Sequence, residues 1–168
     1  MTAKERRKAI LETLRQENGP CNATALATSF GVSRQVVVTD IALLRASGIE
    51  INATPRGYIM GQVKQGLVKR IACRHRAEDT VQELNIIVDN GCTVLDVVVE
   101  HPIYGELIGA LQLKNRYEVL QFLNNLSHAR PLSLLTEGVH LHTVLCPDDS
   151  AYERICEQLS EAGILLED

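Results

Sequence analysis

Between Asn22 and Gly48 the chain reads NATALATSFGVSRQVVVTDIALLRASG. Leu26 and Phe30 are one helical turn apart, three residues (Gly31, Val32, Ser33) intervene, and Val37, Ile41 and Leu44 then recur at the period of a second helix. Two helices joined by so short a glycine-containing turn form a helix-turn-helix, and few other folds accept that spacing. Asn22 and Ser33 are N-cap residues, Gly48 stands where a helix ends in a left-handed residue, and Val32 plugs the inside of the turn. Upstream, KERRKAILETLRQE (4–17) carries Ile10, Leu11 and Leu14 on one stripe and predicts an amphipathic helix stopped by Asn18-Gly19-Pro20. Downstream, IEINATPRGYIM alternates into two short strands around TPRG, a wing with Arg56 at its tip. Residues 1–61 are thus expected to be a winged helix-turn-helix domain.

The start of the third helix leaves Ser33, Arg34, Gln35 and Val38 facing outward. Arginine can fork onto guanine, glutamine onto adenine, and an exposed valine suits a thymine methyl. Two readings of Val38 stay open, a base contact or packing against a neighbouring domain. Arg56 on the wing suits phosphate or the minor groove. Charge agrees: the chain carries a net −4, yet residues 1–68 hold nine Lys/Arg against five Asp/Glu, and residues 69–168 hold eight against sixteen. Only the front end is suited to a polyanion. No apolar run is long enough to span a membrane, and the charges of MTAKERRKAI are followed by no apolar stretch. A cytoplasmic protein with no membrane partner is expected.

After a polar stretch, GQVKQG (61–66), the pattern changes. Strands are expected at 68–75, 92–102 and 104–113, and at PLSLLTEG and VHLHTVLCP on either side of Thr136–Gly138. Helices are expected at 77–91 (Val81, Leu84 and Val88 on the apolar face), at 115–128 (containing Val119, Phe122, Leu123 and Leu126) and over DDSAYERICEQLSEAGI. LLE is read as a short last strand. This order predicts an α+β fold, an α/β sandwich of helices on a mostly antiparallel sheet over residues 66–168. Five scattered cysteines without a CxxC give neither a disulfide framework nor a cysteine zinc site. No GxGxxG, P-loop or GxSxG is present, which argues against nucleotide binding and serine-hydrolase chemistry.

The histidines carry the remaining signal. His128, at a helix C-terminus, is read as structural. His101 ends a strand and is either a ligand or an ordinary polar residue there. His140 and His142 lie i, i+2 in GVHLHTVL and so share a strand face. His75 ends the first strand of this half, and Glu83 lies on the following helix on the side of Asp79. If the two strands are neighbours, three imidazoles and a carboxylate converge, a donor set suited to zinc, nickel, copper or ferrous iron. The alternative is two partly exposed polar residues on a sheet face.

The winged helix followed by RHRAEDTVQELNIIVDNG, VVVEHPIYGEL and LTEGVHLHTV resembles, over essentially the whole chain, the niacin-responsive repressor family of bacteria, whose second half is called the three-histidine domain. The resemblance implies a dimeric transcriptional repressor of NAD biosynthesis or niacin uptake genes, with nicotinic acid as co-repressor and a palindromic operator. It implies a divalent metal, such as nickel, zinc or iron, on His75, Glu83, His140 and His142. The effector either fills an open metal position or sits beside the metal against His101, Tyr104, Glu106 or Arg130; HPIYGE is otherwise simply a turn. A repressor that senses the metal itself, and a metal that only stiffens the domain, stay open. An enzyme is not expected, since no general base is placed near the cluster.

Overall fold

The computed structural model describes residues 1–61, 66–126 and 129–167. Its tertiary contacts divide the chain into two units, Met1–Val63 and Lys64–Asp168. Most of the expected linker (62–65) and the reading of His128 fall outside the described residues.

The first unit runs α1 (Ala3–Gln16), α2 (Ala23–Ser29), α3 (Arg34–Ala46), β1 (Ile51–Thr54) and β2 (Gly57–Met60). Each helix start is capped as the sequence predicts. Thr2 and Glu5 form a capping box on α1, Asn22 accepts from the Thr24 and Ala25 amides, and Ser33 accepts from the Val36 amide. Ile10, Leu14, Leu26, Val37, Ile41, Leu44 and Ile51 are buried together, with Phe30 and Val32 packed against them. The antiparallel pair β1–β2 pivots on Thr54↔Gly57, which places Pro55 and Arg56 in the turn.

One core feature has no apolar signature. Asp40, on the inner face of α3, is 2% exposed and accepts from Arg6 Nε (2.6 Å) and Arg7 Nη1 (3.3 Å) of α1. An unpaired buried carboxylate would be costly, so this pairing fixes α1 on α3. Two of the nine cations of the front end are therefore engaged within the fold.

The second unit runs β3 (Leu67–Arg74), a 3-10 turn (Ala77–Asp79), α4 (Thr80–Asp89), β4 (Thr93–His101), β5 (Gly105–Leu113), α5 (Arg116–Leu126), a 3-10 turn (Leu132–Thr136), β6 (Val139–Cys146) and α6 (Asp149–Glu161). The sheet order is β3-β6-β4-β5, antiparallel throughout. Its core joins Ile71, Cys73, Val94, Leu111, Leu113, Val144 and Cys146 of the strands to Leu84, Ile87 and Val88 of α4, Val119 of α5 and Ile155 and Leu159 of α6. This is the expected α+β layering. The short last strand is a single bridge, Leu165 to Cys73, flanked by Arg74 N donating to Ile164 O (2.8 Å) and Leu166 N to Ala72 O (2.9 Å).

Two expectations are corrected. PLSLLTEG is a 3-10 turn, not a strand. Pro131 has no amide to give a ladder, and the turn satisfies its backbone locally through Leu134 N to Pro131 O (3.2 Å). On α4 the inward face is Glu83, Leu84, Ile87 and Val88, while Val81 is 43% exposed. Val81 lies in the first turn beside a 3-10 segment with no buried residue, before the helix reaches the core.

Candidate functional site

Strand register builds the site. β3 and β6 are neighbours, with Ile71 opposite His142 and Cys73 opposite His140. His140 and His142 therefore point into the helical layer, where α4 brings Glu83 over them. His75 follows the last residue of β3 and turns its ring inward. The side chains of Glu83, His75, His140 and His142 are 1%, 3%, 2% and 4% exposed.

All three imidazoles aim Nε2 at one carboxylate. His75 Nε2 is 2.6 Å from Glu83 Oε2, and His140 Nε2 is 2.8 Å from Oε1. His142 Nε2 lies 3.3 Å from Oε1 but out of line for a hydrogen bond, and has no other partner. Successive rings are nearly perpendicular, at 4.9 Å and 87° for His75–His140 and 4.8 Å and 80° for His140–His142. Each Nδ1 faces a main-chain carbonyl: Arg76 O at 2.6 Å, Gly138 O at 2.8 Å and Asp96 O at 2.8 Å. A carbonyl only accepts, so each Nδ1 carries the proton and donates. That fixes the tautomer and leaves every Nε2 pointing at a group that also only accepts.

Such a cluster needs positive charge between its members. Without a metal the protons supply it. Burial opposes charge on His75 and on His142, but the Glu83 carboxylate outweighs it, through its hydrogen bond and charge at His75 and chiefly through its charge at His142, and raises both above their ordinary value. Burial likewise opposes ionisation of Glu83, yet the imidazoles hold its carboxyl well below the usual carboxylate range. A divalent cation would satisfy the same acceptors without protons. Three neutral Nε2 atoms on fixed tautomers, one of them (His142) orphaned, together with a carboxylate fit the donor set of a borderline transition metal.

Three further groups were not read from the sequence. Gly138 is buried with φ +90°, and a Cβ there would lie 2.3 Å from His75 O. Its carbonyl orients His140 while its missing side chain admits His75. A glycine opening a strand that contains HxH is the signal that could have marked it. Asp96 lies at a register shift between Val94 and Asp96, which brings its carbonyl to His142; a bulge of this kind leaves no residue signature. Cys73, wholly buried near the end of β3, lies two residues before His75. Its thiol, Glu83 and His140 offer donor atoms all within 4.8 Å of one another. Burial, and then the Glu83 charge, push that thiol far up, so it stays protonated while no metal is bound.

The other candidate residues are dispersed. His101 accepts through Nδ1 from the amides of Ile103 (3.1 Å) and Tyr104 (3.3 Å), so it caps its own turn. His101 and Glu106 line a shallow cavity of about 480 Å³ with Thr136, while Tyr104 and Arg130 are outside its wall. Glu106 accepts from Arg70 Nη1 at 3.3 Å. In the first unit Arg34 and Gln35 are exposed at the start of α3, and Ser33 is engaged as its cap. Val38 is half-buried rather than fully outward, and Arg56 is half-buried in the wing turn.

Among the described residues no helix is long and apolar enough to cross a membrane. The 3H domain pattern matches residues 68–168, and an HTH domain pattern matches residues 6–59. The chain is 43% identical to the "Probable transcription repressor NiaR" of Thermotoga maritima, across 98% of this chain and 95% of that protein. It is 44% identical to the "Transcription repressor NadR" of Bacillus subtilis, across 97% of this chain and 94% of that protein.

Proposed function

Because the chain belongs to the family of transcription repressors that join a helix-turn-helix domain to a 3H domain, we propose that it represses genes of NAD biosynthesis or niacin transport. In this reading it binds a palindromic operator as a homodimer, with nicotinic acid as co-repressor and a divalent metal in its acidic unit. The observation that carries the sensing half is the convergence of three tautomer-locked imidazoles on the buried Glu83 carboxylate.

His75, Glu83, His140 and His142 would hold the metal, which supplies a Lewis acid able to take a pyridine nitrogen or a carboxylate. The chain's own groups do the rest. The carbonyls of Arg76, Gly138 and Asp96 keep the rings in register. In the first unit Arg34 and Gln35 read base edges and Arg56 follows the backbone. Two recognition helices must be about 34–36 Å apart to enter successive major grooves on one side of a duplex. An effector that binds that arrangement better than others raises operator affinity by its differential affinity.

The test is an operator gel shift of metal-loaded protein with and without nicotinate, repeated after chelation. Nicotinate is expected to tighten binding at least tenfold, and chelation to abolish the response. Operator binding that follows the metal alone and ignores nicotinate would replace this reading with that of a metal-sensing repressor.

A further inference from the structure

We propose that Cys73 supplies a fifth protein donor, a thiolate, to the ion held by His75, Glu83, His140 and His142, which makes the centre selective for a thiophilic divalent metal. The inference rests on the metal reading above and extends it to the identity of the ion.

Three observations point to it. Cys73 is directly opposite His140 in the β3–β6 ladder, so its side chain leaves the sheet on the imidazole side. Its sulfur, a Glu83 oxygen and a His140 nitrogen lie within 4.8 Å of one another. Two ligand bonds of about 2.0–2.3 Å each span nearly that distance, so one ion can touch all three after small adjustments. The third observation is the unpartnered Nε2 of His142, aimed into the same space from a side chain 4% exposed.

The thiol has no competing use. Cys92 and Cys146 are paired with each other, Sγ to Sγ at 2.9 Å, whereas the Cys73 sulfur lies within 4.8 Å of a Glu83 oxygen. On binding, the metal–sulfur bond forms as the S–H bond breaks. The proton leaves to solvent buffer and no electron is transferred. Thiolate added to imidazoles favours zinc, cobalt or nickel over the harder magnesium, calcium and manganese, which carboxylate and water would serve equally well.

The experiment is X-ray absorption at the zinc edge of the full chain loaded with one equivalent of Zn(II). The expected result is one sulfur scatterer at about 2.3 Å beside a nitrogen and oxygen shell at about 2.0–2.2 Å. Imidazole scattering with no sulfur overturns the proposal and leaves the metal reading standing; no retained zinc overturns both. In a second arm, Co(II)-loaded wild type is expected to show a near-ultraviolet thiolate charge-transfer band that C73S loses. An unchanged band in C73S overturns the proposal. Far-ultraviolet circular dichroism monitors the variant's folding, and if C73S does not fold the wild-type zinc spectrum decides.

Discussion

Each imidazole of the cluster has its Nδ1 proton committed to a main-chain carbonyl, so only Nε2 can respond to pH or metal. In the metal-free protein His75 and His142 titrate above their ordinary value of 6.5. A group raised in this way contributes stability that is complete below 6.5 and is lost as pH rises through its folded value. Glu83 is lowered from 4.5, so its contribution is present above 4.5 and disappears as pH falls through its folded value. Metal-free protein is therefore expected to be most stable between these limits, and its Tm to fall from pH 6 to pH 8. The Tm gain on adding Zn(II) should grow over the same range, because the metal no longer competes with protons. Differential scanning fluorimetry with and without metal checks both slopes. Glu83→Gln removes the one anion facing three Nε2 atoms. We expect metal affinity to fall by more than the ~10–100-fold that loss of an outer-sphere partner costs, measured by isothermal titration calorimetry. On the DNA side, Arg34→Ala should lower specific affinity by ~1–3 kcal/mol and leave random-sequence binding nearly unchanged. Equal losses on both duplexes would reduce Arg34 to a phosphate contact.

At the scale of elements, the strands bearing the ligands are held by a glycine as much as by their ladder. Gly138→Ala places a methyl against the His75 carbonyl in a backbone conformation that side chains rarely adopt. Crowding alone should cost about 1–3 kcal/mol. Because the same step displaces both His75 and His140, metal affinity should drop together with thermal stability. A variant that melts lower but binds metal as tightly would show that the glycine serves the fold alone. Periodicity and caps made most elements legible beforehand: the helices of the first unit and the wing follow Val37, Ile41, Leu44, Ser33 and Gly48. The convergence of His75, Glu83, His140 and His142 was legible in part: period 2 puts His140 and His142 on one face, while their meeting with His75 and Glu83 hung on two strands being neighbours and on the family resemblance. What remained hidden needs the third dimension. The Asp40 pair joins residues 33 and 34 positions apart, and Asp96 acts through its carbonyl at a bulge. PLSLLTEG reads as a strand by apolar content, yet Pro131 and the left-handed Glu137 at φ +52° favour local turns.

For the whole molecule, the second unit is closed by its own tail. Ile164 and Leu166 hydrogen-bond to the outer edge of β3 at Arg74 and Ala72, and Leu165 bridges Cys73. β3 therefore has partners on both sides along the stretch that leads to His75. Deleting residues 164–168 is expected to lower the Tm of the 3H unit and weaken Zn(II) retention, with the helix-turn-helix unit unaffected. Limited proteolysis and metal analysis after desalting separate the two effects; unchanged zinc content would show the tail to be dispensable. The same lacing sets an order of events during synthesis. A nascent chain emerged only as far as Gly163 already carries every imidazole, but the strand beside them still has a bare edge. Until residues 164–166 join that edge, β3 is held on one side alone, so the frame that presents His75 is completed only after every member of the cluster has been made.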